Sequence, residues 1–166
     1  MKIMHIASYE MDCWKEEGIG NYNESQDVLE LTGEQRQTVL GFGGCFNELG
    51  WQALGLAKQE QKEEFIKELF GKEECDFNYG RIPIGANDFS LEWYSCDEVD
   101  GDYELKHFNI ERDKIHTIPY IREAMKYQAD FTLFASPWSP PTWMKTKKAY
   151  NYGRIKMDEA TLNSYV

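Results

Sequence analysis

The chain has 166 residues, of which 42% are apolar, 28% charged and 14% aromatic, a composition typical of a globular protein and not of a disordered or collagen-like one. Its 29 acidic and 18 basic residues give a net charge of −11, the wrong sign for a protein that binds the phosphates of nucleic acids. The densest positive run, residues 145–148, has three lysines in four positions and is interpreted as a solvated turn.

Other classes of site and location are excluded by what the chain lacks. No apolar run of 18 residues exists, so no membrane span is expected, and "MKIMHIASYEMDCW" does not resemble a signal peptide. We therefore expect a cytoplasmic protein, of bacterial origin, whose four cysteines stay reduced. The three histidines are too far apart for a zinc site, and we predict no metal and no cofactor.

The predicted elements change in character near Thr38. Residues 1–38 indicate short extended pieces, among them a half-exposed strand at "DVLELT". "TVLGFGG" then predicts a buried strand, and "AKQEQKEEFIKELFG" a helix that ends at Gly71. "FNYGRIPIG" predicts a second strand, residues 117–128 a second helix and "DFTLFAS" a third strand. The expected buried faces are Phe65, Ile66, Leu69 and Phe70 on the first helix, and Ile118, Ile121, Met125 and Ala129 on the second.

Strands that alternate with helices predict an α/β fold with a parallel sheet. Long loops at the carboxyl ends of such strands are where α/β proteins place their sites. The segments "GANDFS" and "SPWSPPTW" both follow strands in this way, so we expect them on the functional face. Three strands leave two open sheet edges, and "MDEATLNSYV" reads as the first turns of a further helix, so we expect the chain to be a fragment.

The glycine-rich segment "GFGGCFNELG" could be a phosphate-binding loop or a site of close backbone packing, and the sequence argues against the first. It lacks the third glycine of a dinucleotide fingerprint, because Phe46 stands at that position, and no Walker lysine follows. The glycines are instead interpreted as sites of close backbone packing. Asn47-Glu48 beside them suggests a catalytic pair, but a carboxylate without a visible partner is more often a hydrogen-bonded support residue.

Asp88 and Trp138 are the candidate ligand-binding residues. Asp88 follows an apolar strand closely, where its carboxylate can accept hydrogen bonds from two adjacent sugar hydroxyls; the alternative is a helix cap or an Asx turn. The prolines of "SPWSPPTW" restrict the backbone, so the turn can hold an indole over a cavity. A sugar would stack on that indole, whereas the alternative is that Trp138 and Trp143 only plug the end of the sheet.

Three segments together resemble a known family. "GFGGCFNELGWQAL", "GRIPIGANDFSLEWYS" and "FASPWSPPTWMKT", in this order and spacing, are similar to the family-30 glycoside hydrolases, which include the glucosylceramidases. The resemblance extends from about residue 36 to the last residue. It implies a (β/α)8 TIM barrel of which the first three β/α units lie in residues 39–166, and it implies that residues 1–38 belong to a β-sandwich beside the barrel.

The resemblance also implies a mechanism and site residues. The family uses two glutamates, on strands four and seven of the barrel, in a retaining reaction with the carboxyls about 5 Å apart. Both strands would lie beyond residue 166, so no catalytic residue is expected in this chain. Glu48 belongs to strand one and is not the family's acid/base residue. Asp88 and Trp138 match the family's sugar-binding aspartate and tryptophan.

We therefore predict a fragment of a retaining β-glycosidase that acts on a β-linked glucoside, with a possible role in sphingolipid metabolism, and that is inactive by itself. Two alternatives remain open: a non-catalytic carbohydrate-binding or partner-completed module, and another specificity of the family, such as β-xylosidase or β-1,6-glucanase. Self-association through the open barrel edges is also expected.

Overall fold

The computed structural model describes residues 4–18, 30 and 32–166. The chain divides into two compact units, Met1–Thr38 and Val39–Val166. In the first unit, β1 (His5–Tyr9) and β2 (Asp12–Glu17) form an antiparallel pair. The strand predicted at "DVLELT" lies outside the described residues except for two positions, 30 and 32.

The second unit alternates helices with two strands. Its helices are α1 (Glu48–Gly55), α2 (Gln59–Phe70), α3 (Glu111–Ile115), α4 (Thr117–Met125) and α5 (Glu159–Tyr165), and its strands are β3 (Tyr79–Ile84) and β4 (Thr132–Pro137). A 3-10 helix, Thr142–Met144, follows β4. The predicted second and third strands and the helices of residues 57–71 and 117–128 are present, each with slightly different ends. None of the described helices is long and apolar enough to cross a membrane.

The two strands of the second unit pair in parallel, from Tyr79 beside Thr132 to Ile84 beside Pro137. No closed barrel forms among the described residues. Parallel pairing brings the carboxyl ends of β3 and β4 to the same edge of the sheet. The loops that follow the two strands therefore start side by side.

The prediction of a regular strand at "TVLGFGG" is wrong, because these residues form no regular strand. Residues 42–46 do run along β3, with hydrogen bonds such as Arg81 N–H to Gly44 O (3.0 Å) and Phe46 N–H to Arg81 O (2.9 Å), but only Cys45 and Arg81 form a bridge. A Cβ added at Gly43 would collide with the carbonyl oxygen of Tyr79. The glycines thus allow the close approach that was predicted, while glycine weakens regular strand structure.

The core lies between the helices and this sheet. Phe46, Ile66, Phe70 and Ala124 are buried together, and the Phe46 ring stacks on Phe70 at 5.8 Å and meets Tyr120 edge-on at 4.9 Å. The predicted face of α2 is correct at Ile66, Leu69 and Phe70, which lie in or against the core, but Phe65 is exposed.

The predicted buried face of residues 117–128 is correct at Ile121, which packs against the core cluster, and wrong at its C-terminal end. Met125 and Ala129 are exposed, and the buried positions are Thr117, Ala124 and Gln128. Burial of the Gln128 side chain is tolerated because its amide donates a hydrogen bond to Asp76 Oδ1 (2.6 Å). A hydropathy pattern does not anticipate such a satisfied polar residue in a core.

Helix α1 was not predicted, because no element was assigned between the glycine-rich segment and the helix predicted from Ala57. Its N-cap is Asn47, whose Oδ1 accepts a hydrogen bond from the Gly50 N–H (2.8 Å). The acidic Glu48 occupies the first turn, where a negative charge interacts favourably with the helix dipole.

Candidate functional site

A cavity of about 500 Å³ lies at the carboxyl ends of β3 and β4. The loops that follow both strands contribute to it, as the arrangement of parallel strands predicts. It is lined by Ala86, Asn87, Asp88, Trp93, Trp138, Ser139, Pro140, Lys145, Tyr150, Asn151, Gly153, Ile155 and Tyr165. Both predicted ligand-binding residues, Asp88 and Trp138, therefore line the same cavity.

The loop after β3 is held by hydrogen bonds of its own. The chain leaves the strand at Gly85, whose φ of +77° is in the left-handed region that favours glycine. Asn87 then closes an Asx turn, with its Oδ1 accepting from the Phe89 N–H (2.8 Å). Its Nδ2 donates to Ser90 Oγ (3.1 Å), and the Leu49 N–H donates to Phe89 O (3.1 Å), which ties the loop to α1.

Asp88 takes no part in this network. Its side chain is exposed, and it makes no hydrogen bond or ion pair within the described part of the chain. The Asx turn that was the alternative explanation for Asp88 is made by Asn87 instead. An unpaired carboxylate that lines a cavity can accept hydrogen bonds from a ligand with adjacent hydroxyl groups.

The loop after β4 presents Trp138. The Trp138 backbone N–H donates to Ile84 O (3.3 Å), which continues the pairing with β3, and 42% of the residue is exposed. The guanidinium of Arg81 lies 5.3 Å from the indole centroid, within cation–π range. Arg81 is itself held by a hydrogen bond from its Nε to Ser136 Oγ (2.8 Å). The indole is thus supported by the sheet and partly open to the cavity.

Trp143 belongs to the same proline-rich turn but has a different role. It is only 2% exposed, its Nε1 donates to Asp97 O (3.1 Å), and the ring of Tyr103 contacts it edge-on at 5.2 Å. It is absent from the cavity lining. The plugging role considered for both tryptophans therefore fits Trp143 and not Trp138.

Lys145 was interpreted as part of a solvated turn, and that interpretation is wrong. The residue is buried and lines the cavity, and its Nζ donates to Tyr150 O (2.6 Å) and Ser139 Oγ (3.3 Å). Burial lowers the pKa of this ammonium group. No carboxylate pairs with it among the described residues, and the only sequence signal was its proximity to the rigid turn.

Glu48, the other carboxylate singled out, is engaged in a structural network. It is 2% exposed; its Oε1 accepts from Arg112 Nε (2.6 Å), and its Oε2 accepts from Arg112 Nη2 (2.9 Å) and from the Leu91 N–H (2.8 Å). Burial acts to raise the pKa of Glu48, but the hydrogen bonds from Arg112 and Leu91 outweigh it and the pKa is lowered. The contact with Leu91 fixes the end of the Asp88 loop, so this arrangement supports the interpretation of Glu48 as a support residue.

A metal centre does not form in the described part of the chain, where no three His, Cys, Asp or Glu side chains converge in a way that could hold an ion. The side chains that line the cavity include one carboxylate, one ammonium group, amide and hydroxyl groups and several aromatic rings.

Comparison with known proteins places the chain in a family. Residues 39–165 match the model of the glycosyl hydrolase family 30 TIM-barrel domain. Putative glucosylceramidase 3 of Caenorhabditis elegans is 36% identical over 148 residues, which are 86% of this chain and 28% of that protein.

Two solved structures are similar in fold as well as in sequence. SrfJ from Salmonella typhimurium has a TM-score of 0.71 at 30% identity and is matched over 87% of this chain and 34% of its own. An endo-β1,6-glucanase has a TM-score of 0.62 at 32% identity, over 69% of this chain and 25% of its own. The chain thus spans about a third or less of each relative. It belongs to glycosyl hydrolase family 30, and its residues 39–165 match that family's TIM-barrel domain.

Proposed function

We propose that the chain is part of a retaining β-glycosidase of the glucosylceramidase or β-glucosidase type, and that it supplies one side of the sugar pocket. One observation carries the proposal: the unpaired Asp88 carboxylate and the partly exposed Trp138 indole line one cavity of about 500 Å³. This size falls within the range of pockets that hold small molecules.

The two side chains would contact different parts of a sugar. Asp88 would accept hydrogen bonds from two adjacent hydroxyls, each strengthened by the negative charge. Trp138 would cover the C–H face of the ring, which is the kind of contact for which a rigid indole is suited. Lys145, whose Nζ is held by Ser139 and Tyr150, would keep the turn that carries Trp138 in place.

The catalytic carboxylates are proposed to lie outside these 166 residues. A retaining reaction needs two carboxyls about 5–5.5 Å apart, one of them free to attack the anomeric carbon. Glu48 is unsuited to either role, because both of its oxygens are occupied by Arg112 and the residue is buried. We therefore expect the isolated chain to bind a glycoside without cleaving it.

We further propose that residues 42–46, β3 and β4 correspond, in this order, to the first three strands of the family's barrel. The β1–β2 hairpin is proposed to belong to a side sandwich. Large apolar side chains along these segments are exposed, among them Phe42, Ile84, Leu133 and Phe134. Exposed apolar sheet edges favour association with further strands, so self-association of the chain is expected.

A second specificity has comparable support. The identity to the endo-β1,6-glucanase, 32%, is close to the 36% to the putative glucosylceramidase, so a β-1,6-glucan is a candidate substrate beside a glucosylceramide and its place in sphingolipid metabolism. A β-xyloside, and a non-catalytic carbohydrate-binding or partner-completed module, stay alternatives. Cytoplasmic location and bacterial origin stay predictions.

Calorimetric titration of the 166-residue chain with methyl β-D-glucoside tests the proposal. We expect measurable binding that Asp88→Ala and Trp138→Ala each weaken about tenfold, which corresponds to about 1.4 kcal/mol. Asp130→Ala is the matched control, because this exposed aspartate pairs with Lys72 (3.5 Å) at the surface and lies outside the cavity lining.

Unchanged affinity in both variants would contradict the proposed pocket. The same protein sample is expected to leave an aryl β-glucoside intact. Cleavage that Glu48→Gln abolishes would instead make Glu48 a catalytic residue.

A further inference from the structure

The side chain of Trp93 is largely exposed, and another aromatic ring packs against it. The residue is 58% exposed, and its ring stacks on that of Tyr150 with centroids 5.8 Å apart and planes inclined by 16°. Tyr150 covers one face of the indole. A large aromatic ring that is supported on one face and exposed elsewhere is the geometry on which a sugar ring can stack.

Tyr150 is itself held from two sides. Its carbonyl oxygen accepts hydrogen bonds from Ser139 Oγ (2.5 Å) and Lys145 Nζ (2.6 Å), which ties it to the turn that carries Trp138. Burial and the neighbouring Glu98 carboxylate raise the pKa of Tyr150 to about 12. The Trp93–Tyr150 pair is thus fixed relative to Trp138.

Trp93 also stands where two cavities meet. Besides the cavity of about 500 Å³, a second one of about 340 Å³ is lined by Asn87, Asp88, Ser90, Leu91, Glu92 and Trp93. Asn87, Asp88 and Trp93 are common to both. The second cavity adds the hydroxyl of Ser90 and the exposed carboxylate of Glu92, groups that hydrogen-bond to sugar hydroxyls.

We propose that Trp93, supported by Tyr150, is a stacking platform for a second sugar unit, so that the site selects a β-linked disaccharide or longer glycan over a single glucoside. This inference rests on the proposed function, because the first unit is taken to occupy the Asp88–Trp138 cavity. Asp88, which lines both cavities, would contact both units.

Titration with methyl β-D-glucoside and with two β-linked glucose disaccharides, cellobiose and gentiobiose, tests this inference on the 166-residue chain. We expect one disaccharide to bind about tenfold more tightly than the monosaccharide, which corresponds to about 1.4 kcal/mol. Trp93→Ala should remove most of that difference, whereas Trp93→Phe should keep part of it. Trp14→Ala is the control, since Trp14 is a 78% exposed tryptophan of the other unit.

Two results would overturn the platform and leave the sugar pocket intact. One is equal affinity for monosaccharide and disaccharides in the unchanged chain, and the other is a Trp93→Ala variant that keeps the full difference while Asp88→Ala still weakens binding. Absence of binding for all three sugars would overturn the pocket and the platform together. Denaturant unfolding of each variant checks that a loss of the affinity difference between disaccharide and monosaccharide is not caused by unfolding of the variant.

Discussion

The second unit contains two asparagine–carboxylate pairs, and they differ in what their carboxylates contact. In Asn47-Glu48, at the start of α1, and in Asn87-Asp88, after β3, the asparagine Oδ1 accepts a backbone N–H of the next turn, at 2.8 Å in both. Glu48 is buried and its oxygens are taken by Arg112 and Leu91, whereas Asp88 is exposed at the edge of two cavities. The dipeptide alone therefore indicates a turn, and the freedom of the carboxylate indicates a binding residue.

The two tryptophans of the proline-rich turn show the same contrast. Trp143 is buried against Tyr103 with its Nε1 hydrogen-bonded to a carbonyl, while Trp138 rests on Arg81 and faces the cavity. In each comparison, one residue stabilises the fold and the other is available to a ligand. Substitutions should separate the two by their effects on stability and on binding.

The largest expected effect is that of Trp143→Ala. Removing a buried tryptophan leaves a cavity and an unsatisfied carbonyl, and we expect the free energy of unfolding to fall by about 4 kcal/mol. Denaturant unfolding followed by circular dichroism measures it. Trp138→Ala is the matched variant and should lower the free energy of unfolding by less than about 1 kcal/mol, so equal losses would contradict the division of roles.

Glu48→Gln should have the next largest effect. The change removes one partner of a buried ion pair, which typically lowers the free energy of unfolding by about 3–5 kcal/mol. We expect about 2–3 kcal/mol, because Arg112 is partly exposed and keeps its contact with Glu92 (3.2 Å). Glu92→Gln is the control, since Glu92 is largely exposed and a surface pair contributes about 0–1 kcal/mol.

The pH dependence of the stability lost in Glu48→Gln tests whether Glu48 is ionised in the folded protein. Its folded-state pKa lies below the ordinary value of 4.5, so its stabilising contribution is complete above that value and is lost as the pH falls through the lower folded-state pKa. The difference in unfolding free energy between the unchanged chain and Glu48→Gln should therefore shrink in acid. A constant difference from neutral to acidic pH would contradict the ionised pair.

Sequence patterns predicted the second unit well where local chemistry agreed with the fold. β3, β4, α2 and the end of α2 at Gly71 followed from hydrophobic period and capping. The strand at Val39 failed because its glycines serve close approach and not regular pairing. Helix α1 was missed because Asn47-Glu48 was considered as a catalytic pair and not as a helix cap with an acidic first turn.

The residues of the candidate site also divide into those that the sequence predicted and those that it did not. Asp88 and Trp138 were predicted from their places after apolar strands and from the family resemblance. Lys145, Trp93 and Tyr150 were missed, because their proximity to the cavity depends on how residues 93, 139, 145 and 150 meet across the loops. No spacing in the sequence contains that information.

The most direct test of the sugar pocket uses the indole N–H signals of the five tryptophans in a nitrogen–proton correlation spectrum, recorded during titration with methyl β-D-glucoside. Trp138 lines the cavity, whereas Trp143 is buried, Trp51 packs on Tyr120 and Trp14 belongs to the other unit. We expect the Trp138 signal to shift with saturation and these three to stay in place. A Trp138 signal that does not move, or a uniform shift of all five, would contradict the pocket.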